Sequence, residues 1–200
     1  MKLVFENMIN PKVKSCIFFT ALLIALSSCS SVSVETDDNF EVVELPDGSI
    51  VFLNHNSAVS YDEEFSPRTL EVQGEVFLSV VKSETPFVVK SEHGEVTVLG
   101  TEFNVKSQAE ELEVEVEKGI VELKTEMHSD KIKRGEAALY KKAENDFKKV
   151  KAEFKFRIWM KALKDEFKKL GKEIKNNSKE IEKESKEAGK QLKKELKKIK

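Results

Sequence analysis

The chain has 200 residues, 35% of them charged, and a formal net charge of −2. Both of its cysteines lie within the first 29 residues, so the remainder excludes a disulfide-stapled fold and must be stabilised by packing. The small net charge conceals a division. Residues 35–147 hold 11 Lys and Arg against 26 Asp and Glu, a net −15, and residues 148–200 hold 20 against 9, a net +11.

The first predicted element, residues 1–28, is an export signal that ends at a cysteine. Lys12 and Lys14 precede an apolar run over residues 17–26, which is too short to span a bilayer. The following Leu-Ser-Ser-Cys sequence, which ends at Cys29, resembles a bacterial lipobox. The resemblance implies that the Cys29 thiol is alkylated with diacylglycerol and becomes the first mature residue. An uncleaved anchor and a soluble secreted protein are the alternatives.

Residues 29–39 are predicted to be a lipidated linker, and residues 40–146 a β domain. Short β-rich runs recur at intervals of roughly 8–12 residues, with turn residues between them. The plainest strand is at 111–117, where Leu112, Val114 and Val116 alternate with glutamates. That alternation predicts apolar side chains toward the core and carboxylates toward water. The fold is therefore predicted to be mainly β: a meander, a sandwich or a solenoid.

Several glycines stand at the junctions between these predicted strands. We predict that each occupies a position of positive φ or of close backbone approach, where a β-carbon does not fit. A phosphate-binding role is not favoured, because no helix pattern follows any of them. The residues are Gly48, Gly74, Gly100, Gly119 and Gly135.

Six short motifs, in order, resemble those of FecR-type domains. They are Leu45–Asn54, Val72–Val80, Pro86–Val89, Val98–Val105, Val116–Leu123 and Arg134–Leu139. Together they cover about residues 42–146. The resemblance implies a β-rich, solenoid-like domain, the periplasmic part of an envelope sensor. In FecR proteins that part relays the state of an outer-membrane transporter to a cytoplasmic sigma factor.

The chain differs from the FecR plan ahead of the β domain. A FecR sensor places a cytoplasmic sigma-binding segment and a transmembrane helix there, whereas only a cleavable signal is expected in this sequence. We therefore expect the fold and a protein-interaction role to be shared, and we do not carry over the regulatory activity. The resemblance implies no catalytic residue.

A basic amphipathic helix is predicted over residues 147–200, with apolar residues that recur every 11 positions. The third position of the repeat holds Trp159, Leu170, Ile181 and Leu192, and the seventh holds Leu163, Ile174, Ser185 and Leu196. A repeat of 11 corresponds to about 3.67 residues per turn, close to a straight helix. The candidate partner-binding residues on this face are Trp159, Leu163, Phe167, Leu170 and Ile174.

Three interpretations of this helix stay open. Its early part, to about residue 175, can pack on the β domain or on a second copy, with a solvated or partner-bound helix beyond; we favour this arrangement. The helix can instead lie on an anionic membrane surface. It can also be a solvated spacer held by Glu–Lys pairs. Nucleic acid is not expected as a partner, because the protein is exported and glutamates interrupt the lysines.

No active site is predicted. His55, His93 and His128 are isolated and lack the spacing of a metal pair. No serine lies in a nucleophile-elbow pattern, and no acidic loop has calcium-hand spacing. We therefore expect a non-enzymatic protein with no cofactor and no metal.

The sequence as a whole predicts a bacterial envelope lipoprotein. It would be anchored through Cys29, in the outer membrane facing the periplasm, with an envelope protein as partner and possible self-association through the helix. The first alternative is an accessory in FecR-type signalling. The second is a structural tether that joins membrane to cell wall through the C-terminal helix.

Overall fold

The computed structural model describes the backbone of residues 30–196 and the side chains of residues 30–175 and Glu187. The described part consists of thirteen strands and a C-terminal helix. In chain order these are β1 (Ser31–Glu35), β2 (Glu41–Glu44), β3 (Ile50–Leu53), β4 (Ala58–Asp62), β5 (Thr69–Ser79), β6 (Phe87–Ser91), β7 (Gly94–Val98), β8 (Glu102–Gln108), β9 (Glu111–Lys118), β10 (Ile120–Lys124), β11 (Ser129–Lys133), β12 (Glu136–Lys141), β13 (Asp146–Lys151) and α1 (Phe156–Leu196).

The strands form one continuous sheet that folds into two layers, which we name layer A and layer B. Layer A has the order β1-β4-β5-β6-β7-β10-β11. Layer B has the order β2-β3-β5-β8-β9-β12-β13. Neighbouring strands are antiparallel except β5 and β6, which run parallel. Strand β5 is therefore a member of both layers.

The shared strand passes from one layer to the other at Gly74. Its residues 69–73 pair with β4 and β6 in layer A, and its residues 74–79 pair with β3 and β8 in layer B. Gly74 has a φ of +84°, in the left-handed region that favours glycine. At this corner Gly74 thus has the positive φ that was predicted, a backbone conformation that residues other than glycine rarely adopt.

The core lies between the two layers. Alternate residues of each strand point inward, as the period of two requires, and join one apolar cluster. Burying each such Phe, Leu or Val side chain contributes about 1.5–3 kcal/mol relative to exposure. The largest fully buried apolar side chains are Phe87, Phe103, Leu53, Leu70, Leu78, Leu112, Leu123 and Ile132.

The predicted fold class is confirmed: the chain is mainly β, with a C-terminal helix. The bounds differ at both ends of the β region. Strand β1 lies inside the residues predicted as linker, and all of β13 except Asp146 lies inside those predicted as helix. Both are edge strands with mostly polar or charged side chains. The alternation of serine and valine in β1 was a usable signal that was overlooked, whereas the lysines of β13 obscure its pattern. The predicted signal and Cys29 lie outside the described residues.

Helix α1 begins only after a short segment that follows β13. Residues 152–155 connect the two elements and carry Phe154 at a φ of +54°. Within the helix as described, no stretch combines the length and the apolar character that crossing a bilayer requires.

Candidate functional site

The first two turns of α1 pack on the outer face of layer B. Phe156, Trp159 and Leu163 are buried there. The Phe156 ring stacks on Phe77 of β5 with 4.9 Å between centroids, and the Trp159 ring stacks on Phe40 at 6.1 Å. The start of the helix therefore covers aromatic side chains that a sheet facing water would leave exposed.

A carboxylate of β5 fixes the indole of Trp159. Trp159 Nε1 donates to Glu75 Oε1 at 2.9 Å, and Asn104 Nδ2 donates to the same oxygen at 3.2 Å. Asn54 Nδ2 donates to the other oxygen, Glu75 Oε2, at 3.0 Å. Because a hydrogen bond to a charged acceptor is stronger and more directional than a neutral one, Glu75 sets the position of the helix on the sheet.

A second carboxylate, Glu115 of β9, holds the segment that leads into the helix. Only 2% of Glu115 is exposed. Its Oε1 accepts the backbone N–H of Glu153 at 3.1 Å and that of Phe154 at 2.6 Å. The prediction that the glutamates of this strand face water is therefore wrong for Glu115, because the chain returns to cover this point of the sheet.

An exposed ion pair continues this attachment at the edge of the covered area. Arg157 Nη2 and Nε donate to the two oxygens of Glu117 at 2.6 and 3.2 Å. The Arg157 guanidinium also lies 4.3 Å from the centroid of the Phe154 ring. Surface ion pairs of this kind contribute at most about 1 kcal/mol to the free energy of unfolding. The Arg157–Glu117 pair therefore helps to orient the start of α1 and adds little to stability.

Glu113, on the same strand, is repelled by the carboxylate of Glu115. Burial, followed by the charge of Glu115, raises the pKa of Glu113 above its ordinary value of 4.5. The folded protein therefore binds the Glu113 proton more tightly than the unfolded chain does. Ionised Glu113 consequently destabilises the fold, and this penalty is present above the raised pKa and absent well below 4.5.

Replacing Glu113 with glutamine is expected to raise the melting temperature at about pH 7 by about 1–3 °C, since half-burial leaves the charge partly screened. At about pH 3.5 the gain should vanish, because the native carboxyl is then protonated as well. Thermal unfolding followed by circular dichroism at both values measures this. Glu111→Gln, at an exposed position of the same strand, is the matched control. An equal gain at both pH values would contradict the assignment.

Beyond Leu163 the same face of the helix no longer packs on layer B and is exposed to solvent. Phe167 is 52% exposed, Leu170 50% and Ile174 61%. We call these three residues the exposed stripe. Of the five predicted partner-binding residues, the structure thus brings Trp159 and Leu163 onto the β domain and leaves the other three off it. The favoured arrangement had the helix to about residue 175 packed on the β domain or on a second copy; on the β domain this packing ends at Leu163, and packing on a second copy stays a prediction.

The exposed stripe is bordered by more positive than negative charge. Over residues 164–175 the described side chains other than the stripe are mostly charged and exposed. The lysines are Lys164, Lys168, Lys169, Lys172 and Lys175, and the acids are Asp165, Glu166 and Glu173. A surface of this type fits an apolar groove with an acidic rim.

The histidines have structural neighbours in the described part of the chain. His55 lies against Phe40 with ring centroids 4.2 Å apart, and His128 stacks on Phe147 at 5.3 Å. His93 lies between an open groove of about 780 Å³ on layer A and a neighbouring cleft of about 390 Å³. Over the described residues, no three His, Cys, Asp or Glu side chains come together as metal ligands would.

Sequence reasoning missed the residues of layer B that receive the helix. Phe52 and Phe77 point outward, between inward-facing neighbours such as Val51 and Val76. Outward aromatic residues on a strand were a usable signal that something covers that face. Glu75 and Glu115 carried no such signal, because an outward glutamate is ordinary on a solvated strand.

Comparison with known proteins finds a family model that matches part of the β domain. Residues 32–122 match the family model described as FecR protein, which confirms the resemblance indicated by the motifs. The search of curated proteins finds no match.

Two crystal structures resemble the chain, each of a Parabacteroides distasonis protein with a proposed anti-sigma factor assignment. The first is 28% identical, with a TM-score of 0.59, and the match covers 61% of this chain and 60% of that one. The second is 29% identical, with a TM-score of 0.62, and covers 64% of each chain. This chain therefore spans less than two thirds of the length of these structures.

Proposed function

Taking the FecR-like domain as the premise, we propose that this protein is a non-enzymatic lipoprotein of the bacterial envelope that acts by binding another protein. The FecR-like domain serves as an interaction or scaffold module, and α1 presents the exposed stripe to the partner. A role as an accessory in signalling across the envelope is the form favoured by the similarity to structures assigned as anti-sigma factors. Cys29 anchors the protein, in the outer membrane and facing the periplasm.

The observation that carries the proposal is that one face of α1 is buried by layer B at its start and exposed to solvent farther along. Phe156, Trp159 and Leu163 are buried on layer B, and the same face continues into Phe167, Leu170 and Ile174, each at least half exposed. Helix residues 164–196 extend for about 50 Å at 1.5 Å per residue. In proteins most of the stability of a helix comes from packing of its apolar face, so a partner that covers the stripe would stabilise α1.

The charge around the stripe indicates the chemistry of that partner. Lysines outnumber acids over residues 164–175, and the chain from 148 onward has a net charge of +11. We propose that the partner offers an apolar groove with an acidic rim. A second copy of this chain is the competing occupant, because residues 35–147 carry a net −15.

Changing Phe167, Leu170 and Ile174 together to serine is expected to weaken partner binding by more than about 100-fold, since each buried apolar anchor typically contributes at least 1 kcal/mol. The melting temperature of the β domain should not change, because none of the three side chains packs on it. Crosslinking in cells, followed by affinity capture of the tagged lipidated protein, measures the partners retained.

The matched control for this variant is Ile158→Ser. Ile158 is 77% exposed but lies on the opposite side of the helix from the stripe, so its partners should be unchanged. Full retention of partners by the triple variant would overturn the role of the stripe. Recovery of only the chain itself, with a stripe-dependent dimer in sedimentation, would overturn the separate partner and assign the stripe to self-association.

A further inference from the structure

We propose that the FecR-like domain lies directly on the membrane surface, with the connection between β4 and β5, residues 63–68, facing the lipid headgroups. The inference rests on the lipidation of Cys29 proposed above. It adds an orientation and a lipid-facing surface, which follow from the hydrogen bonding of the residues that come directly after Cys29.

The first described residues are already part of the sheet. The Ser30 carbonyl oxygen accepts the backbone N–H of Glu63 at 3.0 Å. Every residue of β1 then pairs with β4, from Ser31 opposite Asp62 to Glu35 opposite Ala58. The residue next to Cys29 is therefore hydrogen-bonded to the domain.

The other end of β1 is fastened as firmly. Thr36 is buried, and its Oγ1 donates to the carbonyl oxygen of Asn54 at 2.6 Å and accepts the N–H of Ser57 at 2.9 Å. Val34, within the strand, packs on the main core. Strand β1 is thus an integral element of layer A. It does not act as a flexible linker between the anchor and the domain.

The distance available between lipid and domain is accordingly short. One peptide unit separates Cys29 from Ser30, about 3.8 Å between Cα atoms. A flexible linker of ten residues would have a root-mean-square length of about 17 Å and would let the domain turn freely. Here the acylated residue holds the end of the domain that carries Ser30 and Glu63 within the headgroup region.

The surface next to the anchor is polar and acidic. Glu63 and Glu64 are exposed, whereas Phe65 is buried in the core. This end therefore rests on headgroups without inserting an apolar side chain, and it fits zwitterionic lipids better than anionic ones, which its carboxylates repel. The opposite end of β1 lies about 13 Å farther along the strand. There Glu35 borders the groove together with Gln108, the last residue of β8, and Ala109 of the β8–β9 turn.

Energy transfer from two matched cysteine labels tests the orientation. After cleavage of the signal, Cys29 is the remaining cysteine, and its thiol is bonded to the lipid. A cysteine introduced elsewhere is therefore a unique labelling site. Glu64→Cys places this site near the anchor, and Glu110→Cys places it in the β8–β9 turn. The lipidated variants are labelled with a donor fluorophore and reconstituted in phosphatidylcholine vesicles that carry an acceptor on the headgroup. We expect transfer from position 64 to exceed that from position 110 by at least about twofold, given the steep distance dependence. Equal transfer would overturn the orientation.

A flexible insertion supplies the second arm. Twelve Gly and Ser residues placed between Ser30 and Ser31 should make the transfer from the two positions equal, because the domain can then turn freely. A difference that survives the insertion would overturn the claim that the short connection sets the orientation. Mass spectrometry of the same preparations detects the diacylglycerol on Cys29. Its absence would overturn the anchor itself, whereas lipid with equal transfer overturns only the orientation.

Discussion

Replacing Gly74 with alanine is expected to lower the free energy of unfolding by about 2–5 kcal/mol. The φ of +84° costs an L residue about 1–2 kcal/mol. An added Cβ would also lie 2.6 Å from the Asn56 carbonyl oxygen and 2.7 Å from the Ser57 Cα, both backbone atoms that cannot move aside without disturbing β4. Overpacking of this kind adds about 1–3 kcal/mol. Urea unfolding, followed by circular dichroism, measures the loss.

Gly135→Ala separates the two contributions. Gly135 has nearly the same φ, +83°, but no heavy atom lies within 4 Å of the position that its Cβ would take. Only the conformational cost should remain, about 1 kcal/mol. If the two variants lost the same free energy of unfolding, the backbone around Gly74 would have to move aside for the added Cβ at little cost. That result would contradict the interpretation of Gly74 as a crowded corner.

The second large effect is expected at Glu115. Its substitution by alanine removes the side-chain oxygen that accepts the backbone N–H groups of Glu153 and Phe154. Hydrogen bonds to a charged group contribute about 1.5–3 kcal/mol each, so we expect a loss of about 2–4 kcal/mol after relaxation. The start of α1 should detach at lower urea concentration. The single tryptophan, Trp159, reports this as a red shift of its emission.

Two further variants identify the cause. Glu115→Gln keeps an oxygen that can accept from Glu153 and Phe154 but removes the charge, so its loss should be intermediate. Glu117→Gln breaks only the exposed pair with Arg157 and should cost less than about 1 kcal/mol. If all three variants lost the same stability, the loss would come from charge on the strand and not from the attachment of residues 153–154.

The sequence alone predicted the part of the fold that depends on local pattern. Leu112, Val114 and Val116 alternate, and the structure buries all three. The flanking glutamates look alike in the sequence, yet Glu115 is buried while Glu117 forms an exposed pair. The difference arises from contacts with residues 38 to 40 positions later in the chain, which no local pattern contains.

The extent of helix packing was unpredictable for a similar reason. The 11-residue repeat identifies one face of α1, which carries Trp159 and Leu163 together with Leu170 and Ile174. Where the cover ends, however, depends on the width of layer B, a property of strand pairing that the repeat does not encode. Strand β13 was missed because Lys148, Lys149 and Lys151 suit a basic helix as well as an edge strand.

A strand that belongs to both layers makes the domain one cooperative unit. Neither layer can open without breaking the pairing of β5, so we expect its central amides to exchange with solvent only on global unfolding. We also expect the smallest fragment that folds to reach well beyond the region that matches the family model, which ends within β10. Residues up to β13 complete layer B, and residues to Leu163 cover Phe77. The region that matches the family model and the unit that we expect to unfold cooperatively thus end at different residues of this chain.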